Sequence, residues 1–129
     1  MKHLKLFEAR NPRRNSKMNI VDKIYLHGTE QGNLTTFNLP LFLTPSMINA
    51  GYFCLDMRKG EDGKNRCGKI LANSVGYVYK LKVNGNAIYK TEDEIILIDG
   101  DVEIIEKYKI NSHRENFCYR PDFANKIKM

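Results

Sequence analysis

The chain has 129 residues, of which 42% are hydrophobic and 28% are charged, and its formal net charge is +6. This length and composition predict one soluble globular domain over 1–129, large enough to bury a core without disulfides or metals. They exclude a segment that spans a membrane, since no apolar run is long enough, and the short, interrupted start of the chain predicts no secretory signal.

The three cysteines, Cys54, Cys67 and Cys118, are widely spaced and match no zinc-binding pattern. We therefore expect reduced thiols and a cytoplasmic location, for which a bacterial host is one setting.

Positive charge is concentrated at the amino terminus. Residues 1–23 hold seven Lys or Arg against two acids, whereas residues 90–108 hold two Lys against seven acids. The basic arm, 1–22, is compatible with an acidic partner such as nucleic acid or the phosphates of a dinucleotide, and equally with solubility alone.

In chain order, the first clear strand is Lys23–His27, which alternates apolar and polar residues and stops before Gly28. A polar loop leads to a second short strand, Leu39–Leu43. Thr44 can then cap a helix, and Pro45 suits its first position. We therefore predict a helix that reaches about Leu55.

The second half of the chain predicts hairpins. Asn84-Gly85 lies between two alternating strands, and Asp99-Gly100 lies between two more, and both dipeptides are hairpin-turn signals. The strands so predicted are Gly76–Val83, Ala87–Tyr89, Ile95–Ile98 and Val102–Ile110. Strands joined by hairpins indicate an α+β fold with a mainly antiparallel sheet of about six strands and one or two short helices.

Two further segments lack a regular pattern. Asp56–Lys69 is rich in charge and glycine, so we expect an exposed loop there. Residues 111–129 carry basic and aromatic residues without a clear period, so we expect a tail.

Three local patterns put polar or aromatic side chains where a ligand could reach them. His27-Gly28-Thr29 ends a strand and offers an imidazole beside a bare backbone. Tyr52 lies on the predicted helix, off its apolar stripe, and Glu94 opens an apolar strand. Taken alone, each has an ordinary structural explanation: a strand-end His bonded to backbone, a half-buried core Tyr and a solvated turn.

In this order the three patterns resemble the His-Tyr-Glu branch of the ADP-ribosyltransferase superfamily, which includes the poly(ADP-ribose) polymerases, some bacterial toxins and the RNA 2′-phosphotransferases. Ile24–Thr29 is similar to the family's aromatic or apolar, His-Gly-Ser/Thr signature. Phe42, Ala50 and Tyr52 repeat the spacing of its strand–helix segment. Asp93–Leu97 is similar to a late segment of the polymerases, Asn-Glu-Tyr-Ile-Val.

The resemblance covers about Lys23–Ile110 and implies a split antiparallel sheet like that of the ADP-ribosyltransferases, with NAD as substrate. It places NAD contacts at His27, Gly28, Thr29, Asn49 and Tyr52, and the catalytic carboxylate at Glu94. The imidazole would bind a ribose hydroxyl, the glycine backbone would bind the nicotinamide amide, and the tyrosine would stack on the nicotinamide ring. A carboxylate suits its role because departing nicotinamide leaves positive charge developing on the ribose.

The chain also departs from the family. Leu41 stands where the polymerases have a second ring-stacking Tyr, and Asn49 stands where they have a Ser. Few residues separate His27 from Phe42, so the family's loops between them have no room, and Asp56–Lys69 could cover the site instead. Two neighbouring acids, Glu92 and Asp93, compete with Glu94 for the catalytic position.

These patterns lead us to expect a single-domain mono-ADP-ribosyltransferase that modifies a macromolecular acceptor, protein rather than nucleic acid, and releases nicotinamide. We expect no membrane partner and no metal, and the oligomeric state is open. One alternative is an enzyme directed at nucleic acid, which ADP-ribosylates a base or removes an RNA 2′-phosphate. Another is a non-catalytic protein of the phage or toxin type that binds and blocks a host protein.

Overall fold

The computed structural model of the chain describes residues 13–55, 57–58, 69–70, 75–115, 118–122 and 124–128. Its strands and one helix are β1 (Lys17–Thr29), β2 (Leu41–Leu43), α1 (Met47–Cys54), β3 (Met57–Arg58), β4 (Lys69–Ile70), β5 (Val75–Thr91), β6 (Glu94–Glu115), β7 (Cys118–Pro121) and β8 (Asn125–Ile127). The main sheet has six strands in the order β1-β5-β6-β2, with β7 and β8 also paired to β6, and every pairing is antiparallel. This arrangement confirms the predicted α+β class with a mainly antiparallel sheet.

The sheet closes on itself where the end of β1 meets the end of β2. Leu26 and Thr44 exchange two backbone hydrogen bonds of 2.8 and 2.9 Å. Since β1 also pairs with β5, β5 with β6 and β6 with β2, the four strands form a closed circuit. The circuit encloses the larger apolar core, which contains Ile20, Leu41, Leu43, Tyr79, Leu81, Val83, Ala87, Ile95 and Leu97.

The strands β5 and β6 form one long hairpin, and both predicted hairpin turns in this region are wrong. Gly85 lies inside β5, directly opposite Gly100 inside β6. The chain reverses instead at Glu92-Asp93, between the paired residues Thr91 and Glu94. Glu94 therefore follows the turn directly and is the first residue of β6.

Helix α1 begins later than the sequence predicts. Its N-cap is Ser46, whose hydroxyl accepts a hydrogen bond of 3.2 Å from the Asn49 N–H. The predicted cap, Thr44, is instead held in the bridge to β1, which keeps its backbone extended. The buried face of the helix packs on the outside of the circuit in a second apolar cluster, which contains Leu26, Ala50, Cys54, Leu55, Val78 and Ile110.

The chain termini add to the sheet. Strand β1 begins at Lys17, so the last residues of the predicted basic arm belong to this strand. Residues 1–12 of the arm lie outside the described residues. The predicted tail supplies β7 and β8. Most of the predicted loop Asp56–Lys69 also lies outside the described residues, apart from the short β3–β4 pair. Within the described ranges, no helix combines the length and apolar character that crossing a bilayer requires.

Candidate active site

A cavity of about 360 Å³ lies beside the point where the circuit closes. It brings together three residues that the sequence singled out, His27, Gly28 and Glu94. The other lining residues are Leu26, Phe42, Leu43, Thr44 and Phe53. Most of the lining residues are therefore apolar, and those with polar side chains are one glutamate, one histidine and one threonine.

Strand β2 sets the separation of His27 and Glu94. Thr44 is bridged to Leu26, the residue before His27, and Leu43 pairs with Ile95, the residue after Glu94. Because the short strand pairs on both sides, the imidazole residue and the carboxylate residue are held on either side of its end. His27 and Glu94, which are distant in the sequence, are thus brought to the same cavity by the pairing of β2 with β1 and with β6.

The imidazole of His27 has a defined protonation state. Its Nδ1 lies 2.8 Å from the carbonyl oxygen of Phe42. A carbonyl oxygen only accepts, so Nδ1 carries a proton and donates, and in the neutral ring Nε2 then keeps a lone pair. Burial lowers the pKa of His27, and the hydrogen bond to Phe42 offsets this in part. The ring is therefore neutral at neutral pH and can accept a hydrogen bond from a ligand hydroxyl.

Gly28 has two structural properties that bear on the site. A Cβ at this position would lie 2.2 Å from the carbonyl oxygen of Ala50, so the absence of a side chain lets α1 pack directly against β1. In an antiparallel ladder, the backbone groups of alternate residues point to the same side. Because Leu26 directs its N–H and C=O to Thr44, those of Gly28 also point towards β2 and the cavity. A ligand amide could pair with this donor and acceptor.

Glu94 is the member of the acidic run that lines the cavity. It is half-buried, whereas Glu92 and Asp93 are exposed in the turn. The turn is tightened by a hydrogen bond of 3.2 Å from the Asp93 N–H to the Thr91 hydroxyl. A half-buried carboxylate at an apolar cavity interacts more strongly with positive charge than one in open water.

The remaining predicted site residues lie elsewhere. Tyr52 faces a second cavity of about 430 Å³ near β7, where its hydroxyl accepts a hydrogen bond of 3.1 Å from Arg120 Nη1. Asn49 belongs to the first turn of α1, next to the Ser46 cap. The Thr29 hydroxyl accepts a hydrogen bond of 3.2 Å from the Gln31 N–H at the end of β1. None of the three lines the cavity that holds His27 and Glu94.

Phe53, and not its neighbour Tyr52, is the aromatic residue of α1 that lines the cavity with His27 and Glu94. Successive helix residues point about 100° apart, so these two neighbours lie on different flanks of α1. Ala50 contacts Gly28, and Phe53 lies one turn further along the helix on the flank that reaches the cavity. The sequence shows that Phe53 lies next to the apolar face of the helix. Only the orientation of α1 on the sheet shows that Phe53 also faces the cavity.

In the described part of the chain, no group of three or more His, Cys, Asp or Glu side chains is suited to hold a metal ion.

Comparisons of the sequence and structure with protein-family models, curated proteins and solved structures gave no match. Function is therefore inferred from the chemistry of the site.

Proposed function

We propose that this protein is an NAD-dependent mono-ADP-ribosyltransferase, which transfers ADP-ribose to a macromolecular acceptor and releases nicotinamide. The observation that carries the proposal is that His27, Gly28 and Glu94 line one cavity. In the sequence these residues belong to two separate patterns, His27-Gly28 near the end of one strand and Glu94 at the start of another. The proposal includes an ADP-ribosyltransferase-like arrangement of the sheet and a cytoplasmic site of action.

The cavity has a suitable size and lining for the nicotinamide end of NAD. Its volume lies at the low end of the range of small-molecule sites, roughly 300–1,000 Å³, which suits a ring and a ribose rather than a whole dinucleotide. Phe42 and Phe53 line it and are 54% and 53% exposed, so each ring has surface that a flat ligand can contact. The backbone of Gly28 can pair with the carboxamide, which has both a donor and an acceptor.

The chemistry follows from the two polar side chains. When the bond between the ribose C1′ and the nicotinamide nitrogen breaks, its electron pair goes to the ring nitrogen and positive charge develops on the ribose. The Glu94 carboxylate stabilises that charge at close range. His27 Nε2 accepts a hydrogen bond from a ribose hydroxyl and fixes the sugar beside the carboxylate. An acceptor nucleophile then bonds to C1′ and loses its proton.

Nicotinamide release from NAD, measured with and without a host-cell lysate, tests the proposal. We expect Glu94→Gln to lower the rate by about 100-fold or more with an unchanged circular dichroism spectrum. Glu92→Gln and Asp93→Asn are matched controls because these exposed acids of the same turn do not line the cavity, and both should retain activity.

The labelled product identifies the acceptor class. Protease-sensitive label from labelled NAD supports a protein acceptor, and nuclease-sensitive label indicates the nucleic-acid alternative. If the protein neither releases nicotinamide nor binds NAD, the transferase proposal is overturned and the non-catalytic alternative gains support.

A further inference from the structure

The segment that links β1 to β2, residues 30–40, is tied to the sheet by two side chains. The Tyr79 hydroxyl donates to the Gln31 carbonyl at 2.9 Å and accepts from the Leu34 N–H at 3.0 Å. Lys107 Nζ donates to the Gly32 carbonyl at 2.6 Å. Tyr79 is 1% exposed, so its hydroxyl is a buried anchor for a segment without regular secondary structure.

Phe37 is the residue of this segment whose ring contacts the His27 imidazole. Its ring packs edge-on against the His27 imidazole, with centroids 5.5 Å apart and an interplanar angle of 82°. It makes a second edge-on contact with Tyr79, at 5.3 Å and 79°. Aromatic pairs favour this geometry, so each contact restricts the rings as well as excluding water.

The imidazole is therefore restrained by two kinds of contact. The Phe42 carbonyl holds Nδ1, and the Phe37 ring covers part of the imidazole and excludes water from it. Loss of that cover would admit water to the imidazole and allow it to rotate away from the carbonyl. Phe37 does not line the cavity, so its effect on a ligand there would be exerted through His27.

We propose that Phe37 and Tyr79 are positioning residues for His27, with Tyr79 anchoring the segment 30–40 and Phe37 holding the imidazole in the tautomer that leaves Nε2 free for a ligand. The catalytic consequence rests on the proposed function. The effect on the imidazole does not, because it is a property of the protein without NAD.

Imidazole NMR of the full chain tests the proposal directly. The signal of His27 is assigned among the three histidines with His27→Gln. In the wild type we expect the Nδ1–H tautomer and a pKa below the ordinary histidine value. Phe37→Leu should give a mixture of tautomers and a higher pKa, whereas Phe37→Tyr should behave like the wild type.

A matched control separates positioning from general loss of packing. Tyr89 is another partly buried aromatic on the same core, and its ring is not among those that contact His27. Tyr89→Leu should leave the tautomer and pKa of His27 unchanged. If Phe37→Leu does not fold, Tyr79→Phe carries the test, since it keeps the ring and removes only the hydroxyl that anchors the segment. An unchanged His27 tautomer and pKa in folded Phe37→Leu, or in Tyr79→Phe where Phe37→Leu does not fold, would overturn the proposal.

Activity gives the second measurement. If the wild type releases nicotinamide, Phe37→Leu should lower kcat by about tenfold and move the acid limb of the pH profile to higher pH. Phe37→Tyr should restore both. A wild type without activity, together with the expected NMR changes, would refute the transferase function and leave the positioning of His27 supported.

Discussion

Gly85 and Gly100 face each other across the β5–β6 hairpin, and both adopt positive φ angles, of 145° and 134°. A Cβ on Gly85 would lie 2.1 Å from the Asp99 carbonyl oxygen, and one on Gly100 would lie 2.1 Å from the Asn84 carbonyl oxygen. The two strands thus approach at a distance that only a pair of glycines permits. Beyond this point the hairpin carries Glu94 back towards β2 and the cavity.

Replacing either glycine should destabilise the whole hairpin. We expect Gly85→Ala to lower the free energy of unfolding by about 2 kcal/mol or more, because strain at positive φ adds to a clash with backbone. Urea denaturation measures the effect. Glu103→Ala, at an exposed position on the same hairpin, should change it by no more than about 0.5 kcal/mol. Equal stability of Gly85→Ala and the wild type would contradict the close approach of the strands.

The same pair explains why the strands could be predicted from the sequence while their connections could not. Apolar alternation correctly located the segments that became β5 and β6. Asn84-Gly85 and Asp99-Gly100 are local turn signals, but here they pair with each other inside a ladder. The actual turn, Glu92-Asp93, contains no glycine. An Asn-Gly or Asp-Gly dipeptide indicates a backbone conformation that requires glycine. It does not show whether the cause is a tight turn or the close approach of a neighbouring strand.

The site shows a similar division. His27 and Gly28 lie just before the end of β1, and Glu94 is the first residue of β6, so the local sequence pattern was enough to place all three near strand ends. The sequence pointed to Tyr52, whereas Phe53 lines the cavity, because the side chain that reaches it depends on how α1 lies against the sheet. That orientation is set by contacts distant in sequence, such as the close approach of the helix to Gly28.

Cys54 should be chemically inert in the folded protein. Its side chain is fully buried, its Sγ donates to the Gly51 carbonyl at 3.1 Å, and burial raises the pKa of the thiol to about 12. Since the thiolate is the reactive form, iodoacetamide near pH ~8 should leave this cysteine unmodified. Peptide mapping by mass spectrometry should find the modified Cys54 peptide only after denaturation in urea. Rapid modification under native conditions would show that α1 opens readily.

His27 should make stability depend on pH in a defined direction. Burial lowers its pKa in the folded protein, whereas in the unfolded chain the pKa is about 6.5. Between these two values the unfolded chain binds more protons, so stability rises with pH. The contribution is complete above about pH 6.5 and is lost as the pH falls through the folded pKa.

Urea denaturation of the wild type and His27→Gln, at several pH values from about 7.5 down to about 5, isolates this contribution. Other titrating groups are common to both proteins, so the difference in unfolding free energy should shrink steadily as the pH falls. Parallel curves would show that His27 titrates alike in the folded and unfolded states.

Phe53 and Tyr52 are adjacent, and the two cavities separate their roles. If the protein is the proposed transferase, Phe53→Ala should raise the KM for NAD by about tenfold, equivalent to roughly 1.4 kcal/mol, because it removes a ring that lines the cavity. Phe53→Tyr, which keeps a ring, should stay close to the wild type. Tyr52→Ala should leave the KM within about twofold, since its side chain faces Arg120 on the other flank of α1.

The Phe53 and Tyr52 variants together test the orientation of α1, because a rigid helix cannot present both rings to one cavity. Steady-state nicotinamide release gives the KM for each variant, and urea denaturation shows whether Tyr52→Ala loses stability through its missing contact with Arg120. A large rise in KM for Tyr52→Ala with none for Phe53→Ala would mean that α1 turns about its axis when NAD binds. In that case the ring assignment implied by the family resemblance would hold for the bound state.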